Sequence, residues 1–286
     1  MAHIHAIYRY PVKGLSPERL ARIPLTPGET VPGDRLYAIE NGPSGFDPEK
    51  RPYLAKQHFL MLMRNERLAR LRTTFDQDAQ RLTIICPSPL WGGEGVGVAR
   101  RRANVDALTS PHDPPPHPPP QGGRDISGDL RTAAGRAAIE RYFAAFCADE
   151  LRGPPKILHA LGHSFSDVAR KVVSIINLAS VAAVEKMVDA PVDPLRFRGN
   201  VYAEGWPAWS ELDLVGKTLH AGSTAHLKVV KRIVRCAATN VDPSTGIRDL
   251  NIPKALLRTL GHADCGVYAE VIDGGEITAG DAIETV

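Results

Sequence analysis

Apolar and polar positions alternate from the first residues of the chain. Ile4, Ala6, Tyr8 and Tyr10 alternate in position with His5, Ile7 and Arg9, and this period of two predicts a strand that ends at Pro11. Pro27-Gly28 and Pro32-Gly33 mark turns, and Arg35 to Ile39 predicts a further strand. Residues 59–71 mix Leu60, Leu62, Leu68 and Leu71 with Arg and Glu, a pattern compatible with a helix or a strand edge. Arg81 to Ile85 predicts a strand. After a break, Ala133, Ala137, Ile139, Tyr142, Phe143 and Phe146 recur at helical spacing and predict an alanine-rich helix, introduced by Ser127-Gly128-Asp129-Leu130. Pro154-Pro155 predicts a junction between modules, placed as 1–150 and 151–286. Beyond it, Val172 to Ile176 predicts a strand, and Ser180 is expected to cap a helix running to about Val188 on Val181, Val184 and Met187. Asn200 to Glu204, Lys217 to Ala221, Leu227 to Val234, Tyr268 to Ile272 and Ala282 to Val286 predict strands, separated by turns such as Asp242 to Gly246 and Asp273-Gly274-Gly275. Short strands, frequent turns and few helices predict a mainly β chain of barrel type.

One segment departs from this pattern. Nine of the 24 prolines lie between Pro87 and Arg124, with glycine pairs at Gly92-Gly93 and Gly122-Gly123. Such a stretch has too little apolar surface to offset the entropy of ordering, so 87–124 is expected to be a disordered insertion in a hairpin loop. Its ends, Ser88 to Gly95 and Pro118 to Arg124, read like the translated arms of a palindromic genomic repeat. A proline-rich partner-binding loop is the functional alternative.

Composition narrows the classes. A length of 286 residues fits two small domains or one large one. Lys and Arg number 35 against 32 Asp and Glu, a near-neutral balance that argues against nucleic acid as a partner. No run of about 18 apolar residues points to a membrane span, and the N-terminus shows no signal-peptide pattern. Cys86, Cys147, Cys236 and Cys265 are scattered with no CxxC pair, which argues against disulfides, structural zinc and an iron–sulfur cluster, and fits a reducing cytoplasm. The ten histidines show no paired metal-ligand spacing, and His163 and His262 read as loop or surface residues.

Cys236 is the leading candidate for chemistry. It follows a strand carrying Lys228, Lys231, Arg232 and Arg235 and precedes the turn-rich loop Ala237 to Gly246. Positive charge favours the thiolate, the form that attacks electrophiles and binds soft metals. Local sequence alone leaves two roles open, a buried structural cysteine and a reactive or ligating one. Cys147 and Cys265 read as small core residues.

The stretch Arg235-Cys236-Ala237-Ala238-Thr239-Asn240-Val241-Asp242-Pro243-Ser244-Thr245-Gly246 resembles the cysteine motif of MOSC domains, the C-terminal domains of molybdenum-cofactor sulfurases. Tyr10-Pro11-Val12-Lys13-Gly14 and Pro32-Gly33-Asp34-Arg35 resemble the MOSC N-terminal β-barrel module. Phe197-Arg198-Gly199-Asn200 is similar to a further family stretch in which proline often stands at Gly199, and Trp209 to Gly216 and Phe165-Ser166-Asp167 also fit. The resemblance covers nearly the whole chain except 87–124. It implies an N-terminal β-barrel-like module packed on a MOSC β-barrel, with the molybdenum cofactor (molybdopterin) as ligand. That ligand is a pterin dithiolene ending in a phosphate, which asks for a soft donor and for cations.

By resemblance, Cys236 ligates molybdenum, Lys13 and Arg35 contact the phosphate, and Arg198 and Asn200 hold the pterin or phosphate region. Ser166, Asp167 and Thr239 either support the ligating residues from behind or face the substrate, with Ser166 and Thr239 counted among the cofactor-binding residues and Asp167 as a catalytic candidate for proton relay. Solvated strand-end charges for Lys13 and Arg35, a structural salt bridge for Arg198, and a turn or cap for Ser166-Asp167 are the plain alternatives. Tyr268 reads first as a strand-packing residue. The activity implied is similar to that of the mitochondrial amidoxime-reducing component and bacterial MOSC reductases, which reduce small N-hydroxylated compounds. With no ferredoxin-like stretch, such a chain is expected to draw electrons from a separate reductase. The alternatives are a molybdenum-cofactor or sulfur carrier without redox turnover, and a β-barrel interaction protein that has lost its ligand.

Overall fold

The computed structural model describes residues 1–86 and 125–286. The N-terminal alternation forms β1 (His3–Arg9), followed by β2 (Glu18–Leu20) and β3 (Arg22–Leu25). β4 (Tyr37–Asn41) starts two residues later than the Arg35 to Ile39 run predicts. Gly33 and Arg35 take left-handed backbone at φ 76° and 51°, and the Arg35 N–H donates to the Tyr10 carbonyl at 2.7 Å, so a turn occupies those positions. Part of 59–71 becomes a short 3-10 helix, Glu66–Arg70, ahead of β5 (Arg72–Asp76). β6 (Arg81–Ile85) and β7 (Ile126–Asp129) pair antiparallel with Ile84 opposite Ile126. The insertion expected between them lies outside the described residues. The predicted alanine-rich helix is α1 (Ala133–Phe146), which buries Ile139, Phe143 and Phe146 and is capped by the Thr132 hydroxyl accepting from the Gly135 N–H at 3.0 Å. β8 (Pro155–His159) pairs with β4.

β9 (Val173–Asn177) runs into α2 (Leu178–Val188). That helix starts earlier than a Ser180 cap predicts, because the Asn177 side chain accepts from the Ala179 N–H at 3.1 Å. Ser180 lies inside the helix and donates to Glu211 at 2.8 Å. β10 (Val201–Glu204), β11 (Thr218–Ala221) and β12 (Ala225–Val234) follow. The strand-and-turn reading does not anticipate α3 (Ile252–Leu260), which the Asn251 side chain caps and Gly261 ends in the left-handed region. β13 (Asp264–Asp273), β14 (Gly275–Thr278) and β15 (Ile283–Thr285) complete the chain.

Eight strands form one sheet in the order β15-β11-β12-β13-β9-β10-β1-β2. The sheet curls until its ends approach: the Ile4 N–H donates to the Asp281 carbonyl at 2.8 Å and the Ile283 N–H to the Ala2 carbonyl at 3.0 Å. Inside the curl, Ile4, Ile7, Val173, Val201, Leu227 and Val267 are fully or almost fully buried in one apolar cluster. A second core gathers Leu60, Leu68, Leu82, Ile139 and Phe143. The described chain is thus mainly β with three α-helices, and residues 3–20 sit in the same sheet as strands from beyond 172.

Candidate functional site

Lys13 sits on the turn that follows β1, and Arg35 on the turn just ahead of β4. At Gly14 the backbone is left-handed (φ 86°), and a Cβ there would lie 2.9 Å from the Leu60 carbonyl, so a side chain would push apart the turn that presents Lys13. Asp34 is buried and accepts from the Tyr10 N–H at 2.8 Å while pairing with the Arg35 guanidinium. This explains the compact Pro32-Gly33-Asp34-Arg35 motif: one carboxylate fixes both the turn and the arginine. Arg198, like Arg35, is held in left-handed backbone, at φ 52°. Non-glycine residues held there store strain and concentrate at functional sites. The Arg198 and Arg35 guanidinium carbons lie 4.2 and 5.0 Å from the Tyr10 ring centroid.

All eight sequence-predicted site residues line one cleft of about 250 Å³. Lys13, Arg35 and Arg198 share it with Ser166 and Asp167, and with Asn200, Cys236 and Thr239. Several of these groups are already committed. Asn200 accepts from the Ser174 N–H at 3.1 Å and hydroxyl at 2.7 Å and donates to the Tyr8 carbonyl at 3.2 Å, so its amide joins β9, β10 and β1. The Thr239 hydroxyl donates to the Cys236 carbonyl at 3.0 Å. Lys13 donates to the Phe165 carbonyl at 2.9 Å and pairs with Asp167. Arg198 differs: among the described residues its guanidinium makes no ion pair and no hydrogen bond, and it stacks over the Tyr10 ring.

Cys236 stands where β12 leaves the sheet. Its backbone is extended, and a 3-10 turn, Ala237–Asn240, begins immediately after it. Three arginines fix the chain around it. Arg235 donates to the Cys265 carbonyl at 2.6 Å and the Phe197 carbonyl at 2.9 Å. Arg196, almost fully buried, grips Asp249 through two bonds of 2.8 Å and adds the Asn240 carbonyl and Asp242 at 3.1 Å. Arg248 donates to the Ala237 carbonyl at 3.0 Å, to the Leu62 and Met63 carbonyls at 2.9 and 2.8 Å, and to Glu66 at 3.0 Å. The cysteine is therefore held from both sides while its own side chain stays half-buried at the cleft.

The charge around the sulfur differs from the sequence reading. Arg235 is spent on carbonyls, and Lys228 is turned to the Gly216 carbonyl, away from the cleft lining. A further ammonium, Lys56 on the 3-10 turn Lys56–His58, lines the cleft with Cys236. Burial lowers the Lys56 pKa, but Cys236 and Asp167 outweigh it and the net shift is upward. No local pattern marks Lys56; only the fold joins it to Cys236. Desolvation raises the Asp167 carboxyl, yet Lys13, by charge and hydrogen bond, outweighs it with Arg35 and Lys56 and holds it well below the usual carboxylate range. Asp167 is therefore ionised at neutral pH and anchors Lys13. Tyr268, read first as strand packing, also lines the cleft. Cys265 is fully buried, and burial pushes its thiol up to about 12. Cys147 is likewise buried, with its thiol pushed up by burial to about 12.

Asp242 organises the loop beyond Cys236. Its Oδ1 accepts from the Ser244 and Thr245 amides at 2.9 and 2.8 Å and from their hydroxyls at 2.6 and 3.0 Å. Desolvation opposes them, but these bonds hold the carboxyl at about 2, below the ordinary 3.8. Because the folded value lies below the unfolded one, the stabilisation is complete above about pH 4 and is lost as pH falls toward 2. Asp242→Asn is expected to cost about 1–2 kcal/mol at pH 7 and nothing below about pH 2. Thermal melts across that range test this, and parallel curves for the two proteins would refute it.

Comparison with known proteins places this geometry. The model of the MOSC N-terminal beta barrel domain matches residues 1–109, and that of the MOSC domain matches residues 160–284. Among solved structures, YUAD protein from Bacillus subtilis is 13% identical over 99% of this chain and 94% of its own, with a TM-score of 0.42. YiiM from Geobacillus stearothermophilus is 23% identical over 40% of this chain and 53% of its own, at 0.32. YiiM from Escherichia coli is 19% identical with the same two coverages, 40% and 53%, at 0.30. The chain thus spans about half the length of the YiiM chains. No curated protein matches it. The chain is a MOSC domain protein, with the MOSC N-terminal beta barrel domain ahead of the MOSC domain.

Proposed function

We propose that the chain binds the molybdenum cofactor through Cys236 and reduces small N-hydroxylated compounds. The family's association with that cofactor supports the first half. The observation that carries the reading is the pairing, in one cleft, of a half-buried thiol with an arginine that makes no ion pair among the described residues. Thiolate is the soft donor for molybdenum, and a guanidinium with its donors free is the group that receives phosphate. Cys236 would hold the metal, and Arg198, with Lys13 and Arg35 beside it, the phosphate. Among the described residues no cluster of three or more His, Cys, Asp or Glu is placed to hold a metal ion. A metal at Cys236 would then bring its other ligands with it, as a dithiolene-bound metal does.

When bound, the cofactor supplies two-electron chemistry suited to removing oxygen from an N–O group. The chain's own residues orient and balance charge. Asp167 keeps Lys13 in place, Lys56 adds positive charge to the cleft that holds the thiol, and the arginines 196, 235 and 248 hold the loop. Electrons come from a separate reductase.

The decisive experiment is metal and pterin analysis of protein made in a cofactor-competent host, followed by oxidation of reduced viologen with an N-hydroxy compound. Near-stoichiometric molybdenum with turnover is expected. Loaded protein without turnover leaves a carrier role, and folded protein with neither metal nor pterin overturns the reading.

A further inference from the structure

We propose that Lys56 sets the charge selectivity at Cys236, favouring ligands whose reacting end is anionic or presents oxygen lone pairs over cationic ones. The proposal deepens the functional reading, resting on Cys236 as the reactive centre but not on the metal. Eight Lys or Arg residues line the cleft (13, 35, 56, 196, 198, 231, 232 and 235) against one carboxylate, Asp167. Most are committed. Lys13 takes Asp167, Arg35 takes Asp34, Arg196 takes Asp249, and Arg235 takes two carbonyls. Arg232 donates to the Leu212 carbonyl at 2.9 Å. Lys56 makes no ion pair among the described residues and lines the cleft together with Cys236.

The scaffold keeps it there. The Phe59 N–H donates to the Lys56 carbonyl at 3.1 Å, the Leu60 N–H to the Ile39 carbonyl at 2.8 Å, and Phe59 bridges Glu40 on β4. A ligand approaching Cys236 therefore meets an ammonium that has no ion pair of its own, on a fixed backbone. An N–O oxygen or a hydroxamate receives a charge-assisted hydrogen bond there. A protonated amidine or quaternary ammonium meets a like charge.

Cys236 is the one half-buried thiol, the other three being buried, so thiol reagents report on it selectively. The full-length, metal-free protein is treated with two methanethiosulfonates of matched size, one carrying a sulfonate and one a trimethylammonium group. In each case the Cys236 sulfur displaces methanesulfinate and forms a mixed disulfide. The ratio of the two rates, divided by that of a free thiol, cancels the reactivity of the sulfur and leaves the local field. A preference for the anionic reagent on the order of tenfold is expected at low ionic strength, decreasing in 1 M salt. Lys56→Met should remove most of it, Lys56→Arg should keep it, and Lys231→Met, at an exposed position, should change it less. A wild-type ratio equal to that of the free thiol, or one that Lys56→Met leaves unchanged, overturns the proposal. If Lys56→Met does not fold, Lys56→Gln and the wild-type salt series decide. Because no metal is needed, failure to load molybdenum leaves this result readable, and its failure leaves the cofactor reading standing.

Discussion

Cys236→Ala is expected to fold normally, melting within a few degrees of the parent, while retaining under about a hundredth of the parent's affinity for molybdenum. The two effects separate because the loop is held by groups other than the thiol. Arg235 and Arg248 grip carbonyls on either side, and Thr239 bonds to the Cys236 carbonyl, which alanine keeps. Losing only the partner that orients a metal ligand typically costs about 10–100-fold in affinity, so losing the ligand itself sets a larger loss. Pterin should fall less than metal, because Arg198, Arg35 and Lys13 are untouched. The measurement is molybdenum and pterin per chain after extensive dialysis. Equal metal in parent and variant would remove Cys236 from the site.

The elements with strict alternation were legible in the sequence because a half-buried strand repeats every two residues. β1, β6 and β12 follow from it directly. Strand order was not legible: β1 lies between β10 and β2, and that pairing joins residues almost two hundred positions apart, beyond any local pattern. Helix α3 was missed although Asn251, Pro253 and Gly261 supply its start and stop, because its nine residues lie beside a turn-rich loop. At the site, the motifs named Cys236, Arg198 and Lys13, but only geometry distinguishes cations already spent from those still free. Arg235 lines the cleft beside Cys236 while spending its donors on carbonyls as a strut, whereas Lys56 carried no motif and lines the same cleft. Gly199 packs so that a Cβ would meet Ile176 Cγ1 at 2.3 Å, so any larger residue there obliges Ile176 to move.

Glu211→Ala should be among the most destabilising single changes in the chain. Glu211 lies in the Trp209 to Gly216 stretch and is fully buried. Its Oε2 accepts from Asn177 Nδ2 at 2.9 Å and the Ser180 hydroxyl at 2.8 Å, and its Oε1 from the Gly266 N–H at 3.3 Å. One carboxylate thereby ties the end of β9, the first turn of α2 and the bulge of β13, next to the Cys265 carbonyl that Arg235 holds. Alanine leaves three buried donors short of an acceptor and opens a cavity, at about 1–3 kcal/mol for each unsatisfied group. Ser180 and Asn177 keep part of their bonding, to the Trp209 N–H and the Pro207 carbonyl. That compensation brings the expected loss to about 3–5 kcal/mol, a fall in Tm on the order of 10 °C or more for a chain of this size. Glu211→Gln, with one acceptor replaced by a donor, should lose about half as much. Because Gly266 anchors the segment that Arg235 grips, the loosening should reach Cys236 as faster thiol modification well below the melting point. Calorimetry and thiol kinetics on the same preparations test both halves. A Glu211→Ala protein melting within about 2 °C of the parent would show that this buried carboxylate is not what holds the three elements together.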